Sequence, residues 1–399
     1  MRSNCFVSLF SGAGGLDAGL EEAGWTGLYA SDIDGVAIAT LQANQGKALN
    51  GRFLADAKIE KADVRGLSGK NILSAIGAER GDIPLLVGGP PCQSWSSAGH
   101  QGGFDDPRGR LFSDFVRLAG ELGVRWLMFE NVRGLLTARG RDGLPGSALE
   151  QIRLELLQAG FQTAVSLMNA ADYGVAQRRV RLIVFGYRDA LPLQIPLPSY
   201  GKESSDALLP WVPMSKQLGA ISPPTEAEII RPSGLLAQQL SSIKSGSGVK
   251  SPGKPESTRP GGHWGYKQGA FVADLNKPAR TVTANSQQDW IRDPHLGLRR
   301  LSPRECAAIQ SFPVDWQFVG KRTDQYRLIG NAVPPKLATA IGHALLRHVE
   351  QFSNTATLHR SLQPLPAALS AAIRYTERDH SRNGASRQAA PNRRAKRAA

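Results

Sequence analysis

The chain has 399 residues, 41% hydrophobic and 21% charged, a globular composition that excludes wholesale disorder. Its 43 glycines and 25 prolines follow no Gly-X-Y period, which excludes a collagen-like rod. Forty-eight Lys and Arg against 34 Asp and Glu leave a net charge of +14, so a polyanion is the expected partner. From the N-terminus, CFVSLF (5–10) reads as a short strand ending in the glycine-rich SGAGGLD, and LDAGLEEAG (16–24) as a helix closed by Gly24. GLYASDID (27–34) is a strand with acids at its end; IPLLVGG (83–89), RWLMFENV (125–132) and RLIVFGY (181–187) are further apolar runs bounded by turn residues. Helical patterns lie at 111–122 and 147–159. Strands alternating with helices predict an α/β fold, a doubly wound and mostly parallel sheet covered on both faces.

The texture changes after Tyr187. Residues 190–300 are rich in proline and glycine, as in LPLQIPLPSYG, and keep no long period, so a second, smaller, loop-rich domain is expected there. Helical reading resumes at LSPRECAAIQSF (301–312), with Ser302 as cap and Pro303 in the first turn, and again at 335–350. The expected division is 1–189, 190–300, 301–350 returning to the first domain, and 351–399 as a basic, weakly ordered extension. From His380 to Ala399 there are six Lys and Arg and no acid; subtracting them leaves +8 on the rest. No apolar run reaches the ~20 residues of a spanning helix, and the N-terminus carries no signal-peptide pattern, so a cytoplasmic protein is expected. Cys5, Cys92 and Cys306 form no Cys-x-x-Cys or Cys/His cluster, so neither a disulfide framework nor a metal is expected.

Three stretches carry chemistry. In FSGAGGLD (10–17) a strand enters, glycines turn and a helix leaves, a geometry that presents backbone N–H groups to a ligand. The dinucleotide fingerprint wants a glycine where Asp17 stands. A carboxylate there disfavours a pyrophosphate and suits a cation, while Asp32 and Asp34 lie at the right distance for ribose hydroxyls. Together these favour S-adenosylmethionine over NAD. In GGPPCQSWSSAG (88–99) two glycines and two prolines hold Cys92 rigidly at the carboxyl end of the sheet, where open α/β sheets bind ligands. Glu130, in ENV, ends a neighbouring strand at the same edge, where it can donate a proton or hydrogen bond to a substrate ring. Arg179 and Arg181, in QRRVR (177–181), share one face of an extended segment and can hold a phosphate or a base carbonyl.

Taken in order, FSGAGGLD, GGPPCQS, FENV, QRRVR, RECAAIQSFP and IGNAVPP resemble the DNA cytosine-5 methyltransferases, of bacterial or phage type, over about Phe6 to Gly342. The stretch GFDDPRGRLFSDFVRL (103–118) matches the part that in such enzymes closes over the DNA. The resemblance implies methyl transfer from S-adenosylmethionine to carbon 5 of a cytosine flipped out of a specific duplex sequence. Phe10, Gly12, Gly14, Leu16 and Asp17 would line the donor site, with Asp32 on the ribose where the family usually has Glu, Asp63 near the adenine amino group, and Asn331 at the methionine end. Cys92 would be the nucleophile, Glu130 the group on ring nitrogen 3 and the amino group, and Arg179 and Arg181 the residues near the base carbonyl. Region 190–300 would be the target-recognition domain, ending at RTVTA (280–284). Gln177, Ser96, Arg280, Thr281 and Thr283 are the candidate DNA contacts. A monomer is expected, with a separate restriction endonuclease as a further partner. The same chemistry on tRNA is the alternative. The tRNA-acting branch carries a Cys-Phe-Thr segment that this chain lacks. Intact Cys92, Glu130 and Arg181 argue against a catalytically silent relative. Asp17 argues against a Rossmann oxidoreductase.

Overall fold

The computed structural model describes residues 4–91, 110–188, 193–250, 269–351 and 361–388, with backbone alone at 110 and 378–388. Seven strands form the central sheet: β1 (Cys5–Leu9), β2 (Thr26–Asp32), β3 (Lys58–Lys61), β4 (Leu85–Gly88), β5 (Trp126–Val132), β6 (Gln162–Asn169) and β7 (Val180–Tyr187). Their order is β3-β2-β1-β4-β5-β7-β6. All neighbours pair in parallel except β7, which runs against both β5 and β6. This mostly parallel sheet agrees with the sequence-based expectation.

Both faces are buried, and side chains alternate between two cores as the strand period of two requires. On β5, Trp126 and Met128 enter one core and Leu127 and Phe129 the other; on β7, Ile183 and Phe185 alternate with Leu182 and Val184. The first core is closed by α1 (Gly15–Glu22), α2 (Gly35–Asn44) and α10 (Pro335–Gln351), the second by α3 (Gly69–Ala75), α4 (Arg110–Leu122) and α5 (Ser147–Gln158). Burying one such Leu or Phe contributes roughly 1.5–3 kcal/mol.

The last of the first-core helices comes from the far end of the chain. Helices α1 and α10 cross so closely that a Cβ on Gly19 would stand 2.3 Å from the Pro335 carbonyl oxygen. The Trp25 indole donates to the Gly342 carbonyl at 3.0 Å.

Between β7 and α8 (Pro303–Ile309) the described residues form short elements, among them β8 (Tyr200–Gly201), β9 (Leu209–Pro210), α6 (Met214–Leu218) and α7 (Gly234–Ser242). A small sheet joins β10 (Ser247–Gly248), β11 (Phe271–Val272), β12 (Trp290–Asp293) and β13 (Gly297–Arg300). It packs through Val272 and Trp290 on Leu240 and Ile243, a minor core of its own. Buried Arg299 bonds both Asp293 and Glu305, which ties the β12–β13 hairpin to α8. Ser302 caps α8 in a capping box with Glu305, the helix start expected from the sequence.

The extension 351–399, expected to be weakly ordered, contains a helix, α11 (Ala367–Gln388). Its first turns dock: Leu369 is buried, and Leu365, Ala372 and Ile373 pack beside it on the second core. That apolar stripe is short and interrupted by alanines, which hides its period in the sequence. No helix among the described residues is long and apolar enough to cross a membrane.

Candidate active site at the carboxyl edge of the sheet

Strand register brings the chemistry-bearing residues together. Leu9 pairs with Ser31 on one side and Gly88 on the other, and Gly88 pairs with Phe129. One residue further on, Phe10, Asp32, Gly89 and Glu130 therefore stand along a single edge. The strand order reverses between β1 and β4, so their outgoing loops part there and leave the crevice where open α/β sheets take ligands.

On the β1 side the turn is tight. Phe10 has φ +56°, left-handed for a residue with a side chain, a strain that folds retain chiefly at functional sites. The Gly12 N–H donates to Asp32 Oδ2 at 2.9 Å, and the Asp34 N–H to Asp32 Oδ1 at 2.9 Å. Asp32 thus braces the glycine loop, and its burial raises its pKa against the pull of those N–H groups. Asp17 is wholly buried, and neither of its oxygens has a hydrogen-bond partner of good geometry among the described residues. Burial pushes its pKa up to about 6, with the nearby Ser8 hydroxyl only partly opposing. Leu16 is buried in the first core.

A Cβ on Gly14 would meet Leu41, Phe53 and Trp316, the last belonging to an aromatic cluster in which Trp316 stands edge-on to Phe53 at 4.6 Å. Asp63, expected near the donor's adenine, makes a local pair at the surface. Its carboxylate is taken by Arg65, whose Nε donates at 3.0 Å and which holds the carboxyl below its ordinary pKa. A cleft of about 300 Å³ opens beside it, lined by Tyr29, Glu60 and Asn71 among others. Sequence reasoning passed over Ile33, 58% exposed between Asp32 and Asp34. A large apolar residue set between two strand-end acids was the available signal. Arg327, which pairs with Asp34 from α9 (Arg322–Asn331), gave none.

On the β4 side, Glu130 is nearly buried and Arg181 Nε lies 2.7 Å from its Oε1. The N–H is not aligned on that oxygen, which keeps Oε1 without a directed donor among the described residues. Asn131 Nδ2 donates to the Pro90 carbonyl at 3.1 Å, tying the Gly-Gly-Pro-Pro turn to β5. Cys92 and Ser96 lie outside the described residues.

The two arginines of QRRVR part company. Arg179 is 1% exposed, and its Nη1 and Nη2 donate to the carbonyls of Val282 (3.1 Å) and Gly330 (2.8 Å). Burial drives its pKa well down, with Arg181 adding and Glu130 opposing. A guanidinium keeps its proton in a protein, so those two carbonyls carry the cost. Gln177, expected on DNA, is wholly buried instead, its Oε1 accepting from the Val282 N–H at 2.9 Å. Arg280, also expected on DNA, is spent internally: it pairs with Asp289 at 2.5 Å and lies 4.0 Å over the Phe271 ring. Gln177 anchors the 279–284 segment to the chain entering β7, and Arg280 anchors it to the small sheet through Asp289 and Phe271. Thr281 is exposed and Thr283 half-buried. Asn331 is exposed at the end of α9, between Gly330, whose Cβ would fall 2.2 Å from the Thr283 backbone, and Val333, whose carbonyl lies as close to a Cβ on Gly15. The Gly-Asn-Ala-Val turn therefore touches both the glycine loop and the segment that closes the 190–300 region.

This edge, with a braced glycine loop on one side of the switch point and an acid–arginine pair on the other, is the candidate active site of an α/β transferase. Residues 5–347 match the family model of the C-5 cytosine-specific DNA methylases, and the chain belongs to that family. It is therefore a transferase acting on carbon 5 of cytosine in DNA. Among its relatives, the Type II methyltransferase M1.HphI of Haemophilus parahaemolyticus is 32% identical over 86% of this chain and 86% of its own. M.PspPI of a Psychrobacter species is 35% identical over 87% of this chain and 80% of its own. In fold the chain is similar to a prophage-encoded E. coli protein assigned as a DNA modification methyltransferase, with TM-score 0.62 and 20% identity over 87% of this chain and all of that one. The Entamoeba histolytica methyltransferase EhMeth gives 0.60 and 15% over 88% and 99%. The family match favours DNA over the tRNA alternative.

Proposed function

We propose that the enzyme methylates a cytosine flipped out of a specific duplex sequence, with S-adenosylmethionine as donor and Cys92 as nucleophile. The observation that carries this reading is the Glu130–Arg181 pair at the switch-point edge, beside a Pro90 carbonyl held by Asn131 two residues before Cys92. Carbon 5 of cytosine is a weak nucleophile. The Cys92 thiolate adds to carbon 6, a carbon–sulfur bond forms, and the displaced electron pair makes carbon 5 enamine-like. The Glu130 carboxyl gives its proton to nitrogen 3, which neutralises the charge that develops there, and Arg181 holds the carboxylate left behind until the proton returns as the ring is restored. Arg179, spent on the Val282 and Gly330 carbonyls, acts by positioning. When bound, the donor supplies a methyl group on a positive sulfonium. Asp17, a buried carboxylate without a well-aligned donor among the described residues, fits a cationic ligand, and Asp32, Phe10, Gly12, Gly14 and Asn331 are assigned to the same crevice. Asp32, shorter than the family's Glu, meets the ribose through whatever acceptor capacity its two N–H bonds leave. After transfer, carbon 5 loses its proton to solvent or a base and the carbon–sulfur bond breaks, restoring the ring.

A stacked base admits no attack from both faces, so the base leaves the duplex and basic surface holds the backbone meanwhile. Region 190–300 reads the sequence, with Thr281 and Thr283 as its contacts nearest the site. The protein acts as a cytoplasmic monomer, as the modification partner of a separate restriction endonuclease or alone. The Type II relatives support that setting.

The test is Cys92→Ser with a 5-fluorocytosine duplex. The variant is expected to lose methyl transfer by at least ~10³-fold while still binding DNA, and the wild type to form a covalent adduct at Cys92, because fluorine does not leave as a proton does. Near-normal turnover by the variant would sink the assignment.

A further inference from the structure

Arg133 is the residue that follows Glu130, Asn131 and Val132, and it opens the 3₁₀ turn Arg133–Thr137. Register sets Val132 opposite Arg181, so Arg133 leaves the sheet at the edge that holds the Glu130–Arg181 pair. Its side chain is half-buried. Among the described residues no carboxylate or carbonyl bonds its guanidinium, and burial alone pulls its pKa down. Other part-buried arginines are engaged: Arg117 with Asp114, Glu121 and two carbonyls, Arg153 with Glu150 and Thr163, Arg299 with Asp293 and Glu305. A cation kept partly out of water without an anion is unfavourable until an anion arrives.

The turn that carries it is firmly seated. Leu135 and Leu136 are 1% exposed, and α11 packs against the turn's core through Leu369. Ile373 of the same helix fills the space a Cβ on Gly146 would need. Gly134 is exposed beside Arg133, leaving one side open to a bulky ligand. Over 133–146 the sequence holds three arginines (Arg133, Arg139, Arg141) and one acid, Asp142.

We propose that Arg133 binds a backbone phosphate of the DNA flanking the flipped cytidine. The inference rests on the reading of the site as one that takes a flipped base. A guanidinium meets two phosphate oxygens at once, which fixes the strand in orientation as well as in place. Arg133 reads no base; it is a positioning residue.

The experiment compares full-length wild type, Arg133→Gln and Arg133→Lys on a duplex carrying the methylated sequence and on an unrelated duplex. For Arg133→Gln the slope of log K against log salt is expected to fall by about one unit on both duplexes, at ~0.9 per phosphate. KM for DNA is expected to rise roughly tenfold, as for loss of a charged hydrogen bond. Donor affinity, melting midpoint and the methylated sequence stay at wild-type values. Arg133→Lys restores the slope but only part of the affinity. An unchanged slope, with or without a lowered melting midpoint, overturns the proposal. If Arg133→Gln does not fold, Arg133→Met keeps the apolar stem and faces the same criterion. A wild type that methylates no DNA sinks the reading of the site, and this inference with it. A wild type that methylates DNA while the variants keep its salt slope sinks the inference alone.

Discussion

Asp17 joins two pH dependences of opposite sign. Its pKa is raised from 3.8 to about 6, with burial the main cause. The folded protein without donor therefore favours the protonated acid. Asp17's contribution to stability is full below about pH 4 and is lost as pH rises through about 6. A cationic donor prefers the ionised form, so donor affinity is expected to climb over the same interval. Asp17→Asn is expected to flatten that climb between pH 5 and 7 and to weaken binding at pH 7.5 by at least ~10-fold, as loss of one charged contact implies. Calorimetry with S-adenosylmethionine across that range decides, and wild-type affinity in the variant would remove Asp17 from the donor site. Glu21, raised to about 7 mainly by burial, leaves a residual stability dependence near neutrality. The Asp17 signal was legible in the sequence, because a carboxylate interrupts a glycine fingerprint. The division of labour between Arg179 and Arg181 was not. Both belong to one five-residue run, and only the placement of Val282 and Gly330, more than 100 residues away, separates them.

At the scale of elements, Gly330 is where the end of α9 meets the segment closing the 190–300 region. A methyl group there would meet the Thr283 carbonyl carbon and oxygen at 2.2 Å, and both are backbone atoms that cannot rotate away. Gly330→Ala is expected to cost about 1–3 kcal/mol of stability, as overpacking does. It is also expected to raise KM for DNA more than KM for the donor, since the displaced segment belongs to the region proposed to read DNA. Steady-state kinetics with each substrate varied, beside a melting curve, measures both; wild-type values in both would refute so close an approach. Elements marked by an apolar run or a helical pattern were read correctly, among them β1, β2, β4, β5 and β7 and helices α1, α4, α5, α8 and α10. Strand β6 escaped because QTAVSLMN breaks its alternation with polar residues on a half-covered face. In the 190–300 region the strands are two to four residues long, too short to show any period.

Over the whole molecule, charge is spread unevenly. Six of the cations behind the +14 lie between His380 and Ala399, where no acid opposes them. Changing Arg382, Arg387, Arg393, Arg394, Lys396 and Arg397 to Gln is expected to weaken DNA binding and to flatten its salt dependence by at most about five units, at ~0.9 per phosphate engaged. The methylated sequence is expected to stay the same, because base reading is proposed for 190–300. A salt titration and bisulfite sequencing check the two halves; an unchanged slope would mean that the tail holds no phosphate. Helix α11, which runs through Gln388, was the part of this extension that composition concealed.

The crossing of α1 and α10 has a consequence for how the chain is made. Helix α1 ends at Glu22 and α10 begins at Pro335, so about 310 residues separate two surfaces that must close on each other. At 5–20 residues per second a ribosome needs roughly 15–60 s to supply the second after the first. Throughout that interval the apolar flank of α1 and α2 has no cover, and the glycine loop lacks the Gly-Asn-Ala-Val turn that packs on it. The nascent chain therefore exposes that apolar flank to aggregation until Pro335–Gln351 has emerged.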